Sequence, residues 1–148
     1  MQEASITMNS DNRNLQVTSI IWIVLGGIIF FMDGIALLTI VSPDLLNLDV
    51  DLSGTDLIAL IFTMVISGLE IAAGILGAKY NSRPKKMNLC LTIGLVIFVL
   101  SAIDILAGLI RGTYYPDNLF TPILGNLLLG LLYLAEAKKI QSAPTALK

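Results

Sequence analysis

Residues 57–111 read LIALIFTMVISGLEIAAGILGAKYNSRPKKMNLCLTIGLVIFVLSAIDILAGLIR. Two apolar stretches, Leu57–Ala78 and Met87–Ile110, flank a short basic turn of Lys79, Arg83, Pro84, Lys85 and Lys86. A bilayer core of roughly 30 Å needs about 20 helical residues, and each stretch is long enough. Each also carries one buried-range acid, Glu70 in the first and Asp104 in the second. The pattern is a helical hairpin whose turn stays in water.

Composition extends that reading to the whole chain. Hydrophobic residues make up 55% and charged residues only 14%, where a soluble domain averages about 25% charged. Mean hydropathy is +0.83. The net charge of −2 gives no basis for binding nucleic acid. There is no histidine, and the single Cys90 excludes an internal disulfide and any paired-cysteine redox or zinc site. The usual acid–base and nucleophile sets are therefore missing, so an enzyme is not expected, nor is a cofactor.

Two further apolar runs lie outside the hairpin. Val17–Val41 has an apolar core too long for a signal peptide. Its fifteen Leu, Ile, Phe and Val residues contribute about −4.5 to −9 kcal/mol toward insertion. The central Asp33 costs roughly +2.5 to +3.5 kcal/mol, so insertion wins. Leu119–Ala137 is the other run. The expectation is an all-α, integral membrane, up-down four-helix bundle with spans at about 17–41, 57–78, 87–110 and 119–137. Residues 1–16 read as a flexible tail and 138–148 as a second tail.

Lys and Arg counts set the orientation. Arg13, Lys79, Arg83, Lys85, Lys86, Lys138, Lys139 and Lys148 fall on one side, and Arg111 alone on the other. Both termini are expected in the cytoplasm of a cell whose plasma membrane holds the chain. The first outer loop, Ser42–Asp56, is acidic. Asp49, Asp51 and Ser53 match the first half of a calcium-binding EF-hand loop, but Leu60 stands where the bidentate Glu belongs. A helix start is the plainer reading, and no metal is expected.

Each span carries one stripe of small and polar residues: Ser19, Gly26 and Asp33; Thr63, Ser67, Glu70, Gly74 and Gly77; Gly94, Ser101, Asp104, Gly108 and Arg111; Pro122, Asn126, Gly130, Tyr133 and Ala137. Such spacing is the seam of left-handed helix packing, and small residues let helices approach closely. Helix rise places Asp33, Thr63, Asp104 and Asn126 in one layer, roughly 9–12 Å from the outer end. Glu70 lies about 12 Å from the inner end, level with Gly26, Gly94 and Gly130. Three readings of the acids follow, one of them lipid or partner binding. Protonated acids hydrogen-bonded across helices act as glue. Alternatively Asp33 and Asp104 share a proton or hold a cation, with Arg111 as counter-ion.

The run IAAGILGAKYNSRPKKMNLCLTIGLVIFVLSAIDIL, residues 71–106, resembles a type common among uncharacterised four-span membrane proteins of Gram-positive bacteria. Its marks are a Gly-rich apolar helix, a basic Pro-Lys turn and an Ile/Leu-rich helix. The resemblance implies a bacterial plasma membrane and lends no activity. The functional expectation is a non-enzymatic polytopic membrane protein, an accessory, interaction or scaffold subunit. Its partners would be the lipid bilayer and either further copies of itself or another membrane protein. The alternative is a small proton-coupled transporter or cation channel working through Asp33, Glu70 and Asp104.

Overall fold

Between Gln2 and Leu25 the chain has no proline or glycine, so nothing interrupts a helix once it starts. In the computed structural model, which describes residues 2–42, 54–112 and 123–142, helix α1 runs as one piece from Gln2 to Val41. It begins well before Val17, where the apolar run starts. Leu15 explains why the polar segment stays helical near its end. That side chain is fully buried, one turn before the buried Ser19.

Helix α2 spans Gly54–Tyr80 and α3 spans Met87–Arg111. Pro84 lacks an amide hydrogen and cannot continue α2. The chain turns through Asn81–Arg83 and tightens into a 3₁₀ turn at Pro84–Lys86. The Arg83 amide donates to the Tyr80 carbonyl at 2.8 Å, and the Lys86 amide donates to the Arg83 carbonyl at 2.9 Å. At its far end α3 stops at Gly112, whose φ of 70° is left-handed. Glycine adopts that conformation without the Cβ penalty, and it closes the last turn.

The last helical stretch starts as a wide π-type segment, Ile123–Leu128, and continues as α4, Leu129–Ser142. It runs five residues past the expected end at Ala137. A Lys139–Glu136 pair at 2.8 Å supports that extension on one side. The Ser142 hydroxyl supports it on the other, donating back to the Lys138 carbonyl at 3.0 Å.

The described residues are helical apart from turns, with no strand. Three helical stretches are long and apolar enough to cross a membrane: Arg13–Val41, Leu57–Tyr80 and Pro84–Arg111. The expected fourth span begins at Leu119, outside the described residues. α1 packs against α2 and α4, and α3 packs against the same two helices. α1 and α3 thus lie across the diagonal. The core consists of Leu15, Trp22, Ile66, Ala73, Met87, Cys90, Ile97, Tyr133, Ala137 and Ile140. Large apolar side chains also cover the outside, Phe31 being 68% exposed.

Candidate functional site

The α1–α2 pairing is antiparallel and close because glycine lines it. A Cβ on Gly26 would meet the Ser67 carbonyl at 3.0 Å and the Glu70 Cβ at 3.2 Å. A Cβ on Gly74 would meet the Ser19 carbonyl at 2.6 Å. Gly77 leaves room for the Ser19 hydroxyl and the Tyr133 ring. These contacts fix the register along the pair, and they bring Asp33 opposite Thr63.

Tyr133 is where the four helices meet. Its ring stacks on Trp22 of α1, with centroids 4.4 Å apart and planes 25° from parallel. Its hydroxyl donates to the Ala73 carbonyl of α2 at 2.9 Å. The Cys90 thiol of α3 sits beside that hydroxyl. The ring also lies 3.0 Å from where a Cβ on Gly94 would stand. Trp22 was not among the residues singled out from sequence. Its signal was present, since it lies three residues after Ser19 and four before Gly26, on their face of the helix.

The candidate acids occupy different settings. Glu70 is 2% exposed, and its Oε1 has no hydrogen-bond partner. Of the three glycines expected to face it, Gly26 does. Gly94 receives Tyr133, and Gly130 receives Phe98 with Trp22 just beyond. The aromatic rings, which need more space than a carboxyl, take those two positions. Asp33 is half-buried, with Thr63 as its hydrogen-bonding neighbour across the seam and Oδ2 unpartnered. The Thr63 hydroxyl donates its hydrogen to the Leu60 carbonyl of its own helix at 2.9 Å.

Asp104 is buried on α3 at 7% exposure. Asp33 and Asp104 therefore stand on helices that do not pair. Arg111 is exposed, and its Nε donates to the Ala107 carbonyl of its own helix at 3.2 Å. Asn126 is half-buried in the π-type segment, and Gly108 is buried on α3. Among the described residues no three His, Cys, Asp or Glu side chains group as metal ligands. Asp49, Asp51 and Ser53 lie outside the described residues, as does Pro122.

One further acid escaped the sequence reading. Glu136 is buried in the C-terminal half of α4, paired to Lys139 through Oε1, with Oε2 unpartnered. Its spacing from Lys139 was readable as a helical ion pair. Its burial was not, because the sequence places it beside two lysines.

Fold and site together define an all-helical protein with three long apolar helices, several buried polar groups and many exposed large apolar ones. Compared with protein-family models, curated proteins and solved structures, the chain matches none. The functional reading therefore rests on its own side chains.

Proposed function

We propose that the chain is a non-enzymatic polytopic integral membrane protein. In this reading it is an up-down four-helix bundle with both termini in the cytoplasm, serving the plasma membrane as an accessory, interaction or scaffold subunit. The observation that carries this is a broadly apolar exterior around a core that holds buried polar groups beside its apolar ones. Val24, Ile28, Phe31, Met32, Ile58, Val65, Leu95, Val99, Leu106 and Ile110 are exposed, while Ser19, Ser67, Glu70, Ser101 and Asp104 are buried. In water a monomer rarely leaves a contiguous apolar surface above a few hundred Å². In hydrocarbon that surface is solvated, and polar groups turn inward. The scaffold reading gains from the Trp22–Tyr133 stack, which fills the space between the helices where a conduit would run.

The second reading is a small proton-coupled transporter or cation channel. One observation favours it: Glu70 is buried among helices with a carboxyl oxygen that nothing satisfies. Flux of protons and cations in proteoliposomes separates the two. The scaffold reading expects no flux above empty liposomes, with Glu70→Gln and Asp104→Asn folding as well as wild type. Flux that falls in both variants while folding holds would replace it with transport. The membrane reading is checked first: the chain should stay with membranes through alkaline carbonate and leave only with detergent.

A further inference from the structure

We propose that the basic end of the molecule is a binding surface for the phosphate headgroups of anionic lipids. This rests on the membrane reading above. Three features of the fold collect the charges there. The antiparallel α1–α2 register, set where Ser19 meets Gly77, puts Arg13 at the same end as the turn after α2. That turn holds Lys79, Arg83, Lys85 and Lys86, all exposed. A side-chain hydrogen bond from Gln141 to Asn88 ties the end of α4 to the start of α3, which brings in Lys138 and Lys139. Seven of the nine Lys and Arg residues in the chain thus share one end.

Five of these cations, Lys79, Arg83, Lys85, Lys86 and Lys138, have no acid paired with them among the described residues. The buried Glu136 is bonded to Lys139. Glu3 and Asp11, farther along α1, leave the end with a clear cationic excess. Two of the ammonium groups are also gathered over one ring. Lys79 Nζ lies 5.8 Å and Lys86 Nζ 4.9 Å from the Tyr80 ring centroid. A ring face holds each cation weakly.

A lipid headgroup suits the place better than a free anion. The turn follows directly on the apolar belt of α2 and α3, so a phosphate bound there leaves its acyl chains along exposed Ile75 and Leu89. Juxtamembrane clusters of four to eight Lys and Arg residues are attracted to anionic leaflets in this way.

The test uses the full chain purified in detergent and exchanged into mixed micelles of phosphatidylglycerol and phosphatidylcholine in equal amounts. Lipid retained after delipidating washes is read by mass spectrometry. Wild type should retain phosphatidylglycerol over phosphatidylcholine by about fivefold. The preference should collapse when Lys79→Gln, Arg83→Gln, Lys85→Gln and Lys86→Gln are combined, and persist in Arg111→Gln at the opposite end. Should the fourfold variant fail to fold, Lys85→Gln with Lys86→Gln, and wild type in about 0.5 M salt, give the same reading, because screening weakens exposed charges. Equal retention of the two lipids by wild type overturns the proposal and leaves the membrane reading standing. So does a preference that survives the substitutions. Stabilisation by inorganic phosphate equal to that by phosphatidylglycerol overturns the lipid assignment. A chain that stays soluble without detergent would instead bring down the membrane reading.

Discussion

On the α1–α2 seam Gly26 and Gly74 meet backbone, whereas on the α3–α4 seam Gly94 and Gly130 meet side chains. A Cβ on Gly26 or Gly74 would run into a carbonyl oxygen, at 3.0 Å from Ser67 and 2.6 Å from Ser19 respectively. A Cβ on Gly94 would meet the Tyr133 ring at 3.0 Å and the tip of Leu134 at 3.1 Å, and one on Gly130 would meet Phe98 at 3.4 Å. A carbonyl in a helix cannot move without moving the helix. A side chain can rotate or lean by a few tenths of an ångström. The first pair is therefore a rigid unit, and the second an adjustable one fitted against it. Tyr133 is the piece that joins them.

The largest effect should come from removing that piece. Tyr133→Ala deletes the ring that stacks on Trp22, fills the space at Gly94 and bonds Ala73. Truncating a buried aromatic costs about 3 kcal/mol or more. Thermal unfolding in detergent micelles should show the loss as a fall in Tm. A change below about 1 kcal/mol would mean that the two pairs hold together without the ring.

Next in size is Gly74→Ala. Overpacking a tight interior costs about 1–3 kcal/mol, and here the obstacle is backbone, so the upper half of that range is expected. Gly94→Ala, whose obstacles are side chains, should cost less in the same assay. If the order is reversed, the contrast between the seams is wrong.

Much of this arrangement was legible in residue order. The stripe Ser67, Glu70, Gly74, Gly77 is buried as one face of α2 because spacings of three and four keep residues on one side of a helix. The turn was legible because Pro84 ends a helix and lysines avoid hydrocarbon. What hid was the filling. Seven-residue spacing picks out small residues, but not the large ones that fill the gaps those residues leave. Trp22 sits among Ile20, Ile21 and Ile23, and only its place on the Ser19–Gly26 face sets it apart from them. The partner choice of Glu70 was hidden for the same reason. Depth along a helix placed three glycines level with it, but rotation about each helix axis decided that only Gly26 faces it.

A smaller effect isolates the hydroxyl of the joining residue. Tyr133→Phe keeps the stack and removes the 2.9 Å bond to Ala73. The Ala73 carbonyl retains its place in the helix ladder, so the loss should be about 1 kcal/mol. Measured beside Tyr133→Ala, it divides the role of the residue between ring and hydroxyl. A loss as large as the alanine variant would shift the role from packing to the hydrogen bond.

The smallest effect is expected at Gly130, and it tests the contrast from its permissive side. A Cβ there lies at ordinary contact distance, 3.4 Å from Phe98 Cδ2 and 3.9 Å from both Phe98 Cβ and Trp22 Cζ2. No backbone atom is among these neighbours. Alanine in a helix interior is favoured over glycine by roughly 0.5–1 kcal/mol. A slight lean of the Phe98 ring offsets part of that gain. Gly130→Ala should therefore leave the Tm unchanged or raise it slightly, while Gly74→Ala in the same helical background lowers it. Both substitutions add one methyl group to a buried helical glycine, so composition and hydropathy cannot tell them apart. A difference in sign between them would come from what each methyl meets: a ring that can give way at one seam, a carbonyl that cannot at the other.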